Sequence, residues 1–329
     1  MPSPSPTLSS PLKGIYKVRR IFLPLLPLLL LFSSCEEIRE VIRTGEQFGG
    51  EGEQVDTSGC VVEEVSYESD GNRIAAWVIR PDREGSFPLV VLNHGYAVGF
   101  VAKRVFDREA SPFLAHGCRL ARKGYVVLFS HYRGFGDSEG RQTFGPGEVR
   151  DVLAGIDLLK SFPYVNAARI GVVGESEGGM ISLFVASRRA DIRCVAAVSA
   201  PVELGRLFES LPSWKRKVAS IPGLYRTIGG TYDEAPGEYR KRSALYAVVR
   251  ITCPVLIIHG EKDTIVPFEQ ARLLQQELRR HDKSHESLFI PGAGHSLLTG
   301  SRENPISDLV WRRVEEFLDS HLLRDNDQG

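Results

Sequence analysis

A serine hydroxyl can attack an ester or amide carbonyl when the backbone presents it at the start of a helix. Ser176 lies in the middle of the pentapeptide Gly174–Gly178, which reads GESEG. Residues 169–173 are apolar and β-branched, which predicts a buried strand, and the apolar residues of 179–190 predict a helix. In so tight a turn the serine adopts a strained conformation, and the flanking glycines avoid a Cβ clash. Taken alone, the pattern is equally compatible with a catalytic serine and with a non-catalytic serine in a glycine-rich turn.

A nucleophilic serine needs a base that takes its proton and a carboxylate that orients the base. Asp263 follows the predicted strand 254–259, and His295 lies in a glycine-rich loop after the predicted strand 286–290. Because functional residues of open α/β sheets collect at the carboxyl ends of the strands, these side chains would meet there. Asp263 could instead cap the next helix, and His295 could be an ordinary loop residue. Together, the three residues favour a Ser176–His295–Asp263 triad.

Several segments resemble the α/β-hydrolase superfamily and, within it, the catalytic domain of the prolyl oligopeptidase family of serine peptidases. Residues 169–179 match the family pattern R-I-G-x-x-G-x-S-x-G-G, and 256–263 match its aspartate segment. Residues 239–245 are similar to the Y-x-x-R-S-P stretch, with alanine in place of proline, and 291–295 to the histidine loop. The resemblance covers about 61–322 and implies the α/β-hydrolase fold.

The departures from the family concern the substrate. Oligopeptidases of the family usually have a β-propeller ahead of the catalytic domain, for which this chain has no room, and Glu177 stands where peptidase members often have tyrosine. Dienelactone-hydrolase-like and acetyl-esterase-like proteins share the fold. The resemblance therefore implies a serine hydrolase that cleaves short peptides or small esters through an acyl-serine intermediate. A catalytically silent binding lipoprotein is an alternative, as is haloperoxidase or acyltransferase chemistry on the same scaffold.

Two backbone N–H groups should stabilise the oxyanion that forms during acyl transfer. One directly follows the nucleophile, which assigns the N–H of Glu177. The second should come from the loop after the predicted strand 87–93, where the sequence NHGY at 93–96 resembles the superfamily's H-G-x loop; this assigns the N–H of Tyr96. His94 in this loop is expected to pack structurally rather than to act as a second base.

Three charged residues near the predicted site allow two interpretations each. Arg133, in a glycine-rich loop after the predicted strand 125–130, either pairs with a carboxylate beneath the site or binds substrate; the structural role is favoured. Glu175 and Glu177 flank Ser176 and could receive a cationic substrate group or shift the pKa of the histidine. Solvation or a local arginine partner is the simpler expectation for both glutamates.

The N-terminus predicts export. Four basic residues precede the twelve apolar residues at 21–32, which are too few to span a bilayer but are typical of a signal peptide. The boundary of segment 1–34 resembles that of a bacterial lipoprotein signal, so Cys35 is the expected lipidation site, and the Glu- and Gly-rich residues 35–59 form a tether. We therefore expect a membrane-anchored lipoprotein of the bacterial cell envelope or periplasm. A hydrophobic segment before an unrelated cysteine is the alternative.

Composition excludes some classes of function. Lys and Arg together number 41, as do Asp and Glu, so nucleic-acid binding has no electrostatic support. No H-E-x-x-H or paired C-x-x-C spacing occurs, and we expect no metal and no cofactor. After export, the cysteines could form disulfides in three full pairings, which the sequence leaves open; these are Cys60, Cys118, Cys194 and Cys253. The last two fall on predicted core strands and are expected to be buried thiols.

The apolar runs predict an α/β fold with a mostly parallel sheet of about eight strands, helices on both faces and an antiparallel edge hairpin. Strands are expected near 61–69, 73–80, 87–93, 125–130, 169–175, 192–199, 254–259 and 286–290, and helices near 111–123, 148–162, 178–190, 268–281 and 304–322. The catalytic domain would span 60–324, followed by a tail at 325–329. Within it, residues 202–249 are expected to form a helical cap over the site, with a plain packed crossover as the alternative.

Overall fold

A single eight-stranded sheet organises the part of the chain that the computed structural model describes, residues 55–96, 113–210, 220–298 and 305–323. The strands are β1 Cys60–Ser69, β2 Asn72–Pro81, β3 Phe87–Asn93, β4 Val126–Ser130, β5 Val165–Glu175, β6 Ile192–Val198, β7 Val255–Gly260 and β8 His285–Ile290. Their order is β1-β2-β4-β3-β5-β6-β7-β8. The pairs β1–β2 and β2–β4 are antiparallel, and all other neighbours are parallel. The predicted α/β-hydrolase sheet with its antiparallel edge hairpin is confirmed.

Helices alternate with the parallel strands. They are α1 113–123, α2 Pro146–Leu159, α3 Glu177–Arg188, α4 Leu204–Ser210, α5 Ser220–Ile228, α6 Pro236–Lys241, α7 Glu269–Arg280 and α8 Pro305–Leu318, together with a 3₁₀ helix at Ala244–Arg250 and a π-helical turn at Asp319–Leu323. The predicted helices are present, and the ends that fall on described residues are shifted by at most four residues. Within the described residues, no helix has the length and apolar character needed to cross a bilayer.

The central strands are buried on both faces. Every residue of β3, β4 and β7 is buried, which is why their sequences are continuous apolar runs rather than alternating ones. Strand β5 begins four residues before its predicted start, since Val165 pairs with Phe87 ahead of a shift in register between Pro88 and Leu89. That first part of β5 reads Val-Asn-Ala-Ala and has only one β-branched residue, so its sequence gave no strand signal.

Between β6 and β7 the alternation of strand and helix stops, as the sequence indicates. Helices α4, α5 and α6 occupy the described part of the predicted cap, and 211–219 lie outside the described residues. The predicted signal segment, Cys35 and most of the predicted tether also lie outside them. The last tether residues, 55–59, pack on the domain: Val55 is fully buried, and Arg122 of α1 donates a hydrogen bond to the carbonyl oxygen of Ser58 at 2.7 Å.

Arg133 joins three parts of the fold. Its guanidinium donates to Asp151 of α2, with Nη2–Oδ1 2.7 Å and Nε–Oδ2 3.0 Å, and to Asp70 in the β1–β2 turn at 2.9 Å. The side chains of Arg133 and Asp151 are both buried. A buried charge needs such partners, because an unpaired one costs several kcal/mol in desolvation. The structural interpretation of Arg133 is therefore confirmed.

We expect Asp151→Ala to lower the free energy of unfolding by about 3 kcal/mol, because the buried guanidinium of Arg133 loses its two-oxygen partner. Asp157→Ala is the matched control on the same helix: it removes the ion pair with Arg189, but the Asp157 side chain is 66% exposed. That loss should stay below about 1 kcal/mol. Urea unfolding followed by far-UV circular dichroism measures both, and equal losses would contradict the stronger role of the buried pair.

Candidate active site

The turn between β5 and α3 presents Ser176. Its backbone has φ 58° and ψ −127°, a strained conformation for a residue with a Cβ that costs on the order of 1–3 kcal/mol. Backbone hydrogen bonds hold it in place: the N–H of Ser176 donates to Val198 at 2.9 Å, and its carbonyl oxygen accepts from the N–H of Gly179 at 2.9 Å. The strained serine turn indicated by the glycine pattern is present.

The two glycines of the pentapeptide allow the backbone segments to approach each other. A Cβ on Gly178 would lie 2.2 Å from the carbonyl oxygen of Asn93 at the end of β3, and one on Gly174 would lie 2.1 Å from the carbonyl oxygen of Gly178. No real Cβ tolerates such contacts with backbone atoms. The Asn93 side chain also donates to Ser182 Oγ at 2.9 Å, which ties the end of β3 to α3. Glycine is therefore required here by close packing.

His295 lies between Ser176 and Asp263. Its Nε2 is 3.0 Å from Ser176 Oγ, and its Nδ1 is 2.7 Å from Asp263 Oδ2. A carboxylate only accepts hydrogen bonds, so we assign the ring hydrogen to Nδ1; in the neutral ring, Nε2 then directs its lone pair to the hydroxyl. The structure thus brings the three predicted residues together in a geometry that can move a proton from the serine.

Asp263 is held ionised by its surroundings. Burial alone would raise its pKa, but hydrogen bonds from His259, His295 and the N–H of Val266 outweigh burial and leave the pKa well below its usual value. The other carboxylate oxygen accepts from the N–H groups of Ile265 and Val266, both at 2.9 Å. Asp263 does not cap α7, whose N-cap is Phe268.

Sequence reasoning missed two residues that support the site. His259, buried in β7, has Nε2 2.8 Å from the carbonyl oxygen of Val266, which makes it a donor, and 3.3 Å from Asp263 Oδ2. Ser199, just after β6, donates from Oγ to the carbonyl oxygen of His295 at 2.8 Å. A polar residue at the end of an otherwise apolar strand was the available signal for each. The sequence could not show which group each would contact.

Glu175 supports the loop that presents the histidine. Its Oε1 accepts from the N–H groups of Leu297 at 2.5 Å and Leu298 at 2.7 Å, and its side chain is buried. The expectation of solvation was wrong here, because the side chain is buried. The last residue of β5 faces packed protein rather than water, and peptide N–H groups take the place of solvent.

Glu177 is also buried, so the same expectation was wrong for it. Burial raises its pKa well above the usual value, and the nearby carboxyl group of Glu148 adds to the effect. No residue in the described part of the chain donates a hydrogen bond to its carboxyl oxygens. Burial thus favours the neutral form of Glu177, which argues against its binding a cationic substrate group.

The predicted oxyanion-hole residues flank the nucleophile. A Cβ built on Gly95 would lie 3.3 Å from Ser176 Cβ and 3.8 Å from its Oγ, so the loop that leads into Tyr96 lies against the serine. Glu177 is the first residue of α3, and the first N–H groups of a helix have no partner within the helix. Both backbone segments thus border the space above the hydroxyl. Their role as oxyanion donors remains a prediction.

His94 packs as the sequence indicates. Its ring stacks on Tyr132, with centroids 4.1 Å apart, and meets the ring of Phe135 edge-on at 4.6 Å. Burial lowers its pKa to about 3, so the ring stays neutral. His94 is therefore a structural residue of the loop beneath the site.

Comparison with known proteins identifies relatives of two activities. The sequence profile of the prolyl oligopeptidase family matches residues 115–323, more than half of the chain. Uncharacterized peptidase YtmA of Bacillus subtilis is 30% identical over 233 residues, which cover 70% of this chain and 84% of that protein. Esterase LipC of Mycobacterium tuberculosis is 39% identical over 212 residues, which cover 58% of this chain and 50% of the relative.

Solved structures agree on the fold. The acylaminoacyl peptidase of Pyrococcus horikoshii superposes with a TM-score of 0.64 at 18% identity, covering 82% of this chain and 43% of that enzyme. At this identity the likeness concerns the fold alone, and this chain spans less than half the length of that enzyme. Taken with the sequence matches, these results show that the chain is a serine hydrolase and belongs to the prolyl oligopeptidase family.

Proposed function

We propose that the protein cleaves peptide or ester acyl bonds through an acyl-Ser176 intermediate. The observation that carries the proposal is the pair of hydrogen bonds that join Ser176 Oγ to His295 Nε2 and His295 Nδ1 to Asp263. A serine in this arrangement is activated by general base catalysis.

In the acylation step, Ser176 Oγ attacks the carbonyl carbon of the substrate and passes its proton to His295 Nε2. The N–H groups of Tyr96 and Glu177 donate to the oxyanion of the tetrahedral intermediate. His295 then returns the proton to the departing amine or alcohol. A water molecule, deprotonated by the same nitrogen, releases the acyl group from Ser176.

Asp263 supplies the charge that makes this transfer favourable. Because its pKa is lowered, it is an anion throughout the neutral pH range and stabilises the imidazolium formed at His295. The N–H groups of Ile265 and Val266 orient it, so the carboxylate need not reorganise during the reaction.

We propose a peptidase acting on short peptides, supported by the family and by the resemblance to peptidase YtmA. The second candidate is a carboxylesterase or acetyl esterase on small esters. It is supported by the identity shared with Esterase LipC. The same triad serves both reactions, so the substrate depends on the walls of the pocket.

For location, we propose export and anchoring by lipid on Cys35, with the following Glu- and Gly-rich residues as a tether. The support is the basic and then apolar pattern that ends at this cysteine. Several acyl chains on one residue would anchor the enzyme stably, whereas one would not. Small substrates in the cell envelope would then reach the site.

Labelling with a fluorophosphonate probe tests the nucleophile, because only an activated serine reacts. We expect Ser176→Ala to abolish labelling and His295→Ala to lower turnover by about 10⁴–10⁶-fold, with unchanged circular dichroism spectra. Ser138→Ala is the control, because Ser138 Oγ accepts a hydrogen bond from the N–H of Ala75 in β2 at 2.9 Å and so has a structural role. Persistent labelling of Ser176→Ala would end the proposal.

Chromogenic substrates with matched acyl groups separate the two activities. Esters react readily with any activated serine, so p-nitrophenyl ester hydrolysis does not discriminate; aminoacyl p-nitroanilide hydrolysis does. We expect p-nitroanilide turnover clearly above the background given by Ser176→Ala. Ester turnover with p-nitroanilide hydrolysis at that background would establish the esterase instead.

Glu175 should act as a positioning residue, because its carboxyl group holds the N–H groups that follow His295. We expect Glu175→Leu to lower kcat by about 10²-fold with little change in KM, since a displacement near 1 Å has such an effect. Glu175→Gln keeps an oxygen that can accept both hydrogen bonds and should stay within a few-fold of wild type. Steady-state kinetics with thermal unfolding as a control decides, and equal losses of kcat in both variants would contradict the role.

A further inference from the structure

Two cysteines outside the active site lie unusually close together. Cys60 is the first residue of β1, Cys118 lies in α1, and their Sγ atoms are 2.6 Å apart. Non-bonded carbon atoms rest about 3.5–4.0 Å apart, and sulfur is larger, so two thiols do not pack at this distance. Both side chains are buried. The pair is thus closer than two separate thiols can be.

Independent contacts keep the two backbones in position around this pair. Arg122, one turn after Cys118 on α1, donates from Nε to the carbonyl oxygen of Ser58 and from Nη2 to that of Asp56, both at 2.7 Å. The N–H of Cys60 donates to Thr57 at 3.2 Å. The start of β1 and the helix are therefore joined at this point by hydrogen bonds that do not involve sulfur. These contacts hold the two thiols next to each other.

We propose that Cys60 and Cys118 form a disulfide in the exported protein, whereas Cys194 and Cys253 remain thiols. Cys194 and Cys253 are buried, and among the described residues neither has another sulfur within bonding reach. The sequence alone leaves three full pairings of these four cysteines open, and this proposal selects a single disulfide. It does not depend on the catalytic mechanism.

The oxidation needs an acceptor for two electrons and two protons. A thiol–disulfide oxidoreductase in its disulfide form supplies it: one cysteine thiolate attacks the oxidant's disulfide and releases one of its thiolates. The second cysteine thiolate then attacks the mixed disulfide, which forms the Cys60–Cys118 bond and releases the oxidant as a dithiol. Because both thiols are buried in the folded protein, the exchange takes place while the chain folds. Oxidising compartments outside the cytosol provide such enzymes.

The bond would join residues 58 positions apart in the chain. The closed loop includes β1, β2 and β3 and the Tyr96 segment that borders Ser176. A crosslink across a loop of this length restricts the unfolded chain and so favours the folded state. It would also fasten α1 to the edge hairpin of the sheet.

Mass spectrometry of the full chain, exported with its own signal and purified without reductant, tests the pairing. After denaturation and iodoacetamide treatment, we expect a linked Cys60–Cys118 peptide pair and alkylated Cys194 and Cys253. With reductant added first, Cys60, Cys118, Cys194 and Cys253 should all be alkylated. Free thiols at Cys60 and Cys118 without reductant, or either residue linked to another cysteine, would overturn the proposal.

Thermal unfolding provides a second measurement. Reductant should lower the Tm of the wild type by roughly 10 °C, and the double variant Cys60→Ser, Cys118→Ser should have the lower Tm with no further response to reductant. Cys253→Ser is the matched control and should respond as the wild type does. Fluorophosphonate labelling should persist in every cysteine variant, so a failure of this proposal and a failure of the catalytic one are distinguishable. A wild-type Tm that reductant does not change would count against the disulfide.

Discussion

The site depends on the close approach of the N-terminus of α3 to the carboxyl ends of β3 and β5. The backbone at Gly178 leaves no space for a Cβ beside the carbonyl oxygen of Asn93. This contact forces the chain to turn within one residue, and that residue is Ser176, with its positive φ. The strain is offset by the surrounding sheet, whose central strands are buried throughout. Backbone packing therefore determines the position of the nucleophile, and the contacts of its side chain come second.

Four neighbouring strands each supply one part of the site. Ser176 follows β5, Ser199 follows β6, Asp263 follows β7 and His295 follows β8, and these strands are adjacent in the sheet. Hydrogen bonds between the loops then set the spacing, since Ser199 holds the carbonyl oxygen of His295 and Glu175 holds the next turn of the same loop. A parallel sheet brings the loops that carry these residues to one edge, and buried hydrogen bonds between the loops then fix the distances between the side chains.

The local parts of this arrangement could be predicted from the sequence, and the long-range parts could not. Apolar runs located the strands and helices, and the glycine, aspartate and histidine patterns identified the residues that the structure brings together. The predicted solvation of Glu175 was wrong because its partner, Leu297, lies 122 positions away in the sequence. His259 and Ser199 were missed for the same reason. The early start of β5 depends on a register shift against β3, which no pattern within β5 records.

The two glutamates beside the nucleophile are both buried but differ in their hydrogen-bond partners, and the difference bears on catalysis. A carboxylate at Glu177 would place negative charge next to the oxyanion that its own N–H is proposed to stabilise, and like charges repel strongly at short range in a desolvated site. Burial raises the pKa of Glu177 well above its usual value and so favours the neutral form of the group. The same burial that forbids solvation thus makes a glutamate compatible with this position. Exposing that side chain to water would favour its charged form and therefore the repulsion.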